Sequence, residues 1–209
     1  MPNWCDNSLK IIGPEEAIEN LVRLVGRSFT KTWEDGTVEK FDNPTFSFEN
    51  ILPSTSDTSS VMFPSTGPDD WWSNNVNSWG TKWDVANSDS MGTFRDVGVV
   101  SYGFNTAWSP PSPVILRLAE IFPEVEITHI YSETGMDFWG IDKYAKGELV
   151  SEEGGELSHK AWGIMETDCW NCNENDDLEY MYSDCPPVIE AKKEKRRKAR
   201  EKAKAKAKV

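Results

Sequence analysis

The chain has 209 residues, a formal net charge of −13 and a hydrophobic share of only 38%, so one domain with a sizeable core plus appendages is the expected plan. Ten tryptophans exclude a wholly disordered chain, because each indole can bury a large apolar area. No apolar run approaches the roughly 18 residues needed to cross a bilayer.

The start, Met1-Pro2-Asn3-Trp4-Cys5-Asp6, lacks the basic and apolar regions of a secretory signal. Four cysteines (Cys5, Cys169, Cys172 and Cys185) are too sparse for a disulfide scaffold. Both observations make a reducing cytoplasm the expected setting.

In chain order, Cys5 to Gly13 reads as a first strand. Pro14, with Glu15 and Glu16 behind it, suits a helix start. Ile18, Leu21, Val22 and Val25 then mark one buried helical face, and Gly26 ends it. Asp35-Gly36 between Thr32-Trp33 and Thr37-Val38 predicts a hairpin. Thr45 to Leu52 alternates like a strand that Pro53 stops. Ser54 to Ser73 is a loop by composition, and the insertion continues through Asp69-Asp70-Trp71-Trp72 and an asparagine-rich lead into Trp79.

Val97 to Phe104 is the strongest candidate for a core strand. Ser112 and Pro113 open a second helix, with Ile115, Leu118, Ala119 and Phe122 on its inner face, and Pro123 ends it. Val125 to Tyr131 is a further strand, Phe138 to Tyr144 extends the sheet as a hairpin partner, and Gly147 to Ser158 reads as an acidic loop. Leu178 to Tyr182 is a short element at most. Ala191 to Ala207 is a helix-former without an apolar face, expected to fray in water.

This order predicts an α+β class: a ferredoxin-like antiparallel sheet with two helices on one face, a long loop insertion and a C-terminal appendage. The expected domains are residues 1–158 with the insertion at about 54–96, a cysteine-bearing appendage at 159–190, and a basic tail at 191–209.

Certain blocks carry a resemblance: Met-Pro-Asn-Trp-Cys-x-Asn at Met1 to Asn7, Trp-Gly-Thr-Lys-Trp at Trp79 to Trp83, and Thr-Ala-Trp-Ser-Pro-Pro at Thr106 to Pro111. A helix and Phe122-Pro123 follow, then a strand ending in Tyr131-x-Glu133. Over roughly Met1 to Tyr144 the chain resembles the YubB-type ferredoxin-like family of phage and plasmid proteins. The resemblance implies a ferredoxin-like core and a mobile-element origin, and no activity. The chain after about Ser158 lies outside it.

Two tryptophan-bearing stretches, Trp79 to Asp84 and Phe104 to Pro111, suggest one structured surface. Trp79, Trp83 and Trp108 would offer stacking faces, with Lys82 and Asp84 as polar handles. The competing reading is that the rings plug the sheet and the threonines and serine cap loops.

Cys169-x-x-Cys172 followed by Cys185, with His159 upstream, matches a Cys₃His structural zinc site, against free or redox-active thiols. No other cofactor is expected. Asn171 to Asp177 lacks the glycine and glutamate spacing of a calcium loop. His129, inside a predicted strand, reads as a packed residue, and no nucleophile, phosphate-binding or metalloprotease motif is present.

The charge is sharply divided. Residues Ala191 to Val209 carry a net +9 and Met1 to Glu190 a net −22. Lys192, Lys193, Lys195, Arg196, Arg197, Lys198 and Arg200 could track phosphates or dock on an acidic surface, including that of the chain itself.

The expected function is that of a non-enzymatic phage or plasmid accessory protein. Its acidic, aromatic-bearing domain would bind a host macromolecule in the host cytoplasm, with a basic protein surface as partner. The alternative is a single-stranded nucleic-acid binder using the sheet aromatics and the tail. No membrane partner is expected.

Overall fold

The computed structural model describes residues 2–32, 36–54, 71–86, 92–166 and 182–206. It divides into two units, Met1–Gly155 and Glu156–Val209.

The first unit is built on β1, Trp4–Ile12, whose side chains alternate strictly between exposed and buried. Its inward row is Cys5, Asn7, Leu9 and Ile11. Antiparallel β5 (Val99–Ala107) lies on one side of β1 and antiparallel β6 (Glu126–Glu133) on the other. With β4 (Gly92–Asp96), β7 (Phe138–Ala145) and β8 (Glu148–Glu156) the sheet reads β4-β5-β1-β6-β7-β8. Helix α1 (Glu15–Val25) precedes β4 in the chain, and α3 (Ser112–Ile121) links β5 to β6. The four strands β4, β5, β1 and β6 with α1 and α3 form the split βαβ plan of a ferredoxin-like fold. β7 and β8 widen it.

Both helices bury one stripe in a shared core. Ala17, Ile18, Leu21 and Val25 of α1 and Val114, Ile115, Leu118 and Ala119 of α3 join Leu9, Ile11, Val100, Tyr102, Phe104, Ile127 and Tyr144 of the sheet. Each buried valine, leucine or isoleucine among them contributes about 1.5–3 kcal/mol. On the opposite face, Trp4, Asp6, Ser8, Lys10 and Ile12 of β1 are exposed.

The predicted hairpin forms a separate two-stranded sheet, β2 (Phe29–Thr32) with β3 (Val38–Phe41), and Phe29 stacks on Phe41. Trp33 and Asp35 lie outside the described residues.

Three sequence expectations are corrected. Thr45 to Leu52 is not a strand but a turn-rich segment, with Ile51 and Leu52 N–H both bonded to the Phe48 carbonyl. Its alternating Phe46 and Phe48 are buried, yet its backbone is satisfied by a carboxylate rather than a ladder. Within the expected insertion, Trp71–Trp79 is a helix, α2, and Gly92–Asp96 is not inserted at all but is β4, a strand of the sheet plan itself, while 55–70 and 87–91 lie outside the described residues. Gly147 to Ser158, expected as a loop, is largely the edge strand β8. Lys146 and Gly147 both have positive φ (55° and 80°), the signature of the two-residue turn that joins two twisted strands.

The second unit holds α4 (His159–Ile164) and α5 (Pro186–Lys206). Ser158 Oγ caps α4 by accepting from Ala161 N at 3.0 Å. Asp184 accepts from His159 N and Lys160 N at 2.9 and 3.0 Å. No helix among the described residues is long and apolar enough to cross a membrane.

Candidate binding surface

β5 ends at Ala107, and the chain then turns sharply. Trp108 takes a left-handed conformation (φ 65°), which costs a non-glycine residue about 1–2 kcal/mol. Surrounding bonds hold it there: Trp108 N donates to Asn3 O at 2.9 Å, Ser109 N to Ala107 O at 2.9 Å, and Thr106 Oγ1 to Ser109 O at 2.7 Å.

The segment after α2 is fastened to this turn. Thr81 Oγ1 donates to Ala107 O at 3.0 Å, and Ser109 Oγ donates to Gly80 O. Gly80 sits at φ 79° with Pro110 O and Pro113 Cδ each 3.0 Å from where a Cβ would stand, so a side chain there has neither the backbone nor the room.

The two predicted stretches therefore meet, but their residues divide. Trp79 is buried at 1% exposure and donates from Nε1 to Leu52 O at 2.7 Å, so it belongs to the core. Asp84 is turned toward the 46–52 segment. Its oxygens accept from Ser47 Oγ (2.7 Å), Phe48 N (2.8 Å), Glu49 N (3.0 Å) and Val85 N (2.6 Å). Burial pushes its carboxyl up while these four donors favour its ionised form.

Trp83 and Trp108 remain at the surface, 40% and 38% exposed, with ring centroids 6.4 Å apart. Lys82 is largely buried, its Nζ 4.3 Å from the Trp83 centroid and 5.7 Å from that of Trp108. Both distances fall within cation–π range.

A further ring belongs with them. Trp4, 49% exposed, lies 6.3 Å from Trp83. The alternation of β1 was its signal: Cys5 and Asn7 face the core, so Trp4 and Asp6 must face outward. Asn105, with its amide turned so that nitrogen meets acceptors, donates to Asp6 Oδ1 at 2.8 Å. Desolvation first, and the Glu133 charge second, push the Asp6 carboxyl upward.

Behind this surface runs a buried polar chain. Thr106 Oγ1 spends its proton on Ser109 O, so it accepts from Asn7 Nδ2 at 2.9 Å. Asn7 Nδ2 also donates to Cys5 O, which leaves its Oδ1 to accept from His129 Nε2 at 3.0 Å. His129 thus carries its proton on Nε2. Its Nδ1, and Oδ1 of its cross-strand partner Asp142, are buried with no bond among the described residues. Burial pushes His129 down to about 3 and Cys5 up to about 12, so imidazole and thiol are both neutral at pH 7. His129 is fully enclosed, as expected of a packed sheet residue.

In the second unit, Lys192, Lys193, Lys195, Arg196, Arg197 and Lys198 are exposed on α5. Arg197 and Lys198 pair with Glu194 at 2.7 and 3.4 Å. Arg200 is helical, its side chain outside the described residues. Cys185 is buried, and the Asp184–His159 bond brings the backbone of His159 close to it in the fold. Cys169 and Cys172 lie outside the described residues, and among the described residues no three metal-ligating side chains converge.

The comparisons agree with the topology. Residues 78–180 match the family model for the ferredoxin-like domain in Api92-like protein. The crystal structure of protein Api92 from Yersinia pseudotuberculosis superposes with a TM-score of 0.57 at 13% identity, over 76% of this chain and 99% of that one. That likeness establishes the ferredoxin-like fold and nothing about a ligand. No curated protein matches the chain.

Proposed function

We propose that this chain is a non-enzymatic accessory protein of phage or plasmid origin, as its YubB-type blocks imply, that binds a host macromolecule in the cytoplasm. The partner we infer is a basic protein surface, engaged by the tryptophan-bearing face of the first unit. The observation that carries this reading is Lys82, whose ammonium rests on the faces of Trp83 and Trp108. It marks these indoles as a seat for cations. Charge supports the same partner: Met1 to Gly155 carries 24 carboxylates against ten lysines and arginines, a field that draws basic partners and repels phosphates. The basic residues of α5 add a second contact of opposite sign, and a zinc held by Cys169, Cys172, Cys185 and His159 would brace the unit that carries them.

The second reading is a single-stranded nucleic-acid binder. The strand registers place Phe94, Ser101, Lys10, Thr128 and Lys143 in one row across the outward sheet face. That row offers a stacking ring and two cations.

A tryptophan-fluorescence titration of the full chain discriminates the two, with an arginine-rich peptide and an oligothymidine as probes. Quenching by the peptide, weakened by salt and lost in Trp83→Ala/Trp108→Ala, is the expected result. Quenching by the oligonucleotide that survives removal of residues 191–209 and is lost in Lys10→Ala/Lys143→Ala overturns it in favour of the sheet-face reading.

A further inference from the structure

We propose that the partner is anchored by an arginine side chain, its guanidinium stacked on Trp4 and paired with Asp6. This deepens the binding reading above and rests on it.

The inference comes from a juxtaposition on β1. Trp4 and Asp6 are successive outward residues of one strand, so their Cα atoms stand roughly 7 Å apart on the same face. An arginine side chain spans that step, because its planar head both stacks on an aromatic face and donates along its edge. Trp4 keeps half its surface open while Trp83 supports one side of it.

Asp6 is prepared to accept. Its Oδ1 is steadied by Asn105, and its Oδ2 takes no bond among the described residues. Glu133 adds to the local negative potential. It is buried, with its carboxylate held by Gly135 N and Met136 N, both at 2.6 Å, and it is close enough to Asp6 to raise that group's pKa. Lys82 supplies the precedent on the neighbouring rings, but as an ammonium it makes a point contact. A guanidinium would make a planar stack and a directed pair with a carboxylate together.

Phosphate is a poor fit at this step. Asp6 and Glu133 would repel it, and the nearest lysine on the same outward row, Lys10, stands four residues further along β1.

The test uses the full chain and three peptides of one glycine-rich sequence, carrying arginine, lysine or citrulline at the same two positions. Citrulline keeps the shape of arginine and removes its charge. The proposal expects the arginine peptide to quench tryptophan fluorescence with an affinity about tenfold above the lysine peptide, and the citrulline peptide weaker still. Asp6→Asn should lower arginine-peptide affinity about tenfold and bring the arginine and lysine peptides to near parity. Trp4→Ala should do the same. Both positions are outward on the strand, so circular dichroism and urea midpoints should stay near wild type.

Equal binding of arginine and lysine peptides, unmoved by Asp6→Asn but abolished by Trp83→Ala/Trp108→Ala, sinks the anchor and leaves the binding reading standing. Failure of every peptide to quench, with or without quenching by oligothymidine, sinks both.

Discussion

Asp84 is the residue on which the Phe46–Leu52 segment depends, and replacing it gives a sharp stability test. Four donors converge on its carboxylate: one hydroxyl and three backbone N–H groups, at 2.6–3.0 Å. Hydrogen bonds to a charged acceptor are worth about 1.5–3 kcal/mol each, and a buried donor left unpaired costs about 1–3 kcal/mol. The Ser47 hydroxyl can rotate about its C–O bond, and Val85 N adjoins the substituted residue. Phe48 N and Glu49 N have no such freedom, because turns at Ile51 and Leu52 hold their backbone. Asp84→Ala should therefore cost about 3–6 kcal/mol. Asp84→Asn keeps one oxygen, which can serve Phe48 N and Val85 N. Its amide nitrogen then confronts Glu49 N, donor against donor, at a cost of about 2 kcal/mol. Urea unfolding at pH 7, followed by circular dichroism and by tryptophan emission, reads both values. An Asp84→Ala variant within about 1 kcal/mol of wild type, or one as stable as Asp84→Asn, would refute the claim that this carboxylate organises the segment.

Further perturbations test other parts of the structure. Trp108 sits at φ 65°, so Trp108→Gly should be about 1 kcal/mol more stable than Trp108→Ala, while both lose peptide-induced quenching; thermal melts and titrations of the pair check this. A Cβ on Gly140 would overlap the Tyr131 ring at its Cζ and hydroxyl oxygen. Gly140→Ala should thus lower stability by about 1–3 kcal/mol in a urea midpoint. His129, pushed from 6.5 down to about 3 by burial, refuses a proton that the unfolded chain accepts. Its contribution is full above pH 6.5 and is lost as pH falls toward 3. Wild type should lose more stability between pH 7 and pH 4 than His129→Gln, which keeps the Asn7 bond without titrating, and parallel pH curves would contradict this. The zinc reading predicts about one equivalent per chain by elemental analysis and its loss in Cys185→Ser; metal-free full-length protein would dismiss it.

The ferredoxin-like plan was legible because its burial patterns are regular. β1 alternates through nine residues, and the inner stripe of α1 follows helical spacing. The errors arose where burial and backbone bonding part company. Phe46 and Phe48 are both fully buried, which reads as a strand, but pattern carries no information about where the N–H groups go. β8 is exposed along its whole length and so shows no alternation at all, although Lys146-Gly147 could have been read as its turn. The surface was half legible. Lys82, Trp83 and Trp108 come together as the tryptophan spacing suggested, whereas Trp79 and Asp84 share the same stretch but face inward. Trp4 was read as part of a start motif, and only its place opposite the Cys5 row assigns it to the surface.

Polar residues at core positions explain how that surface is held. Asn7 interrupts the inward row of β1 between Cys5 and Leu9, and His129 follows Ile127 on the inward row of β6. Either would be a defect in isolation, since an unpaired buried polar group costs more than an apolar one. Together they form a directional relay, from His129 Nε2 to Asn7, from Asn7 to Thr106, and from Thr106 to the Ser109 carbonyl. Each proton has one destination, so reversing any member breaks the next bond. The relay ends at the turn that keeps Trp108 in its left-handed conformation. Apolar residues in place of Asn7 and His129 would pack the sheet as well, but no donor would then orient the Thr106 hydroxyl, and its bond to the Ser109 carbonyl would lose that restraint. The cost of burying these polar groups is thus best understood as positioning: the sheet interior fixes where the exposed rings stand, and those rings are the surface on which the binding reading relies.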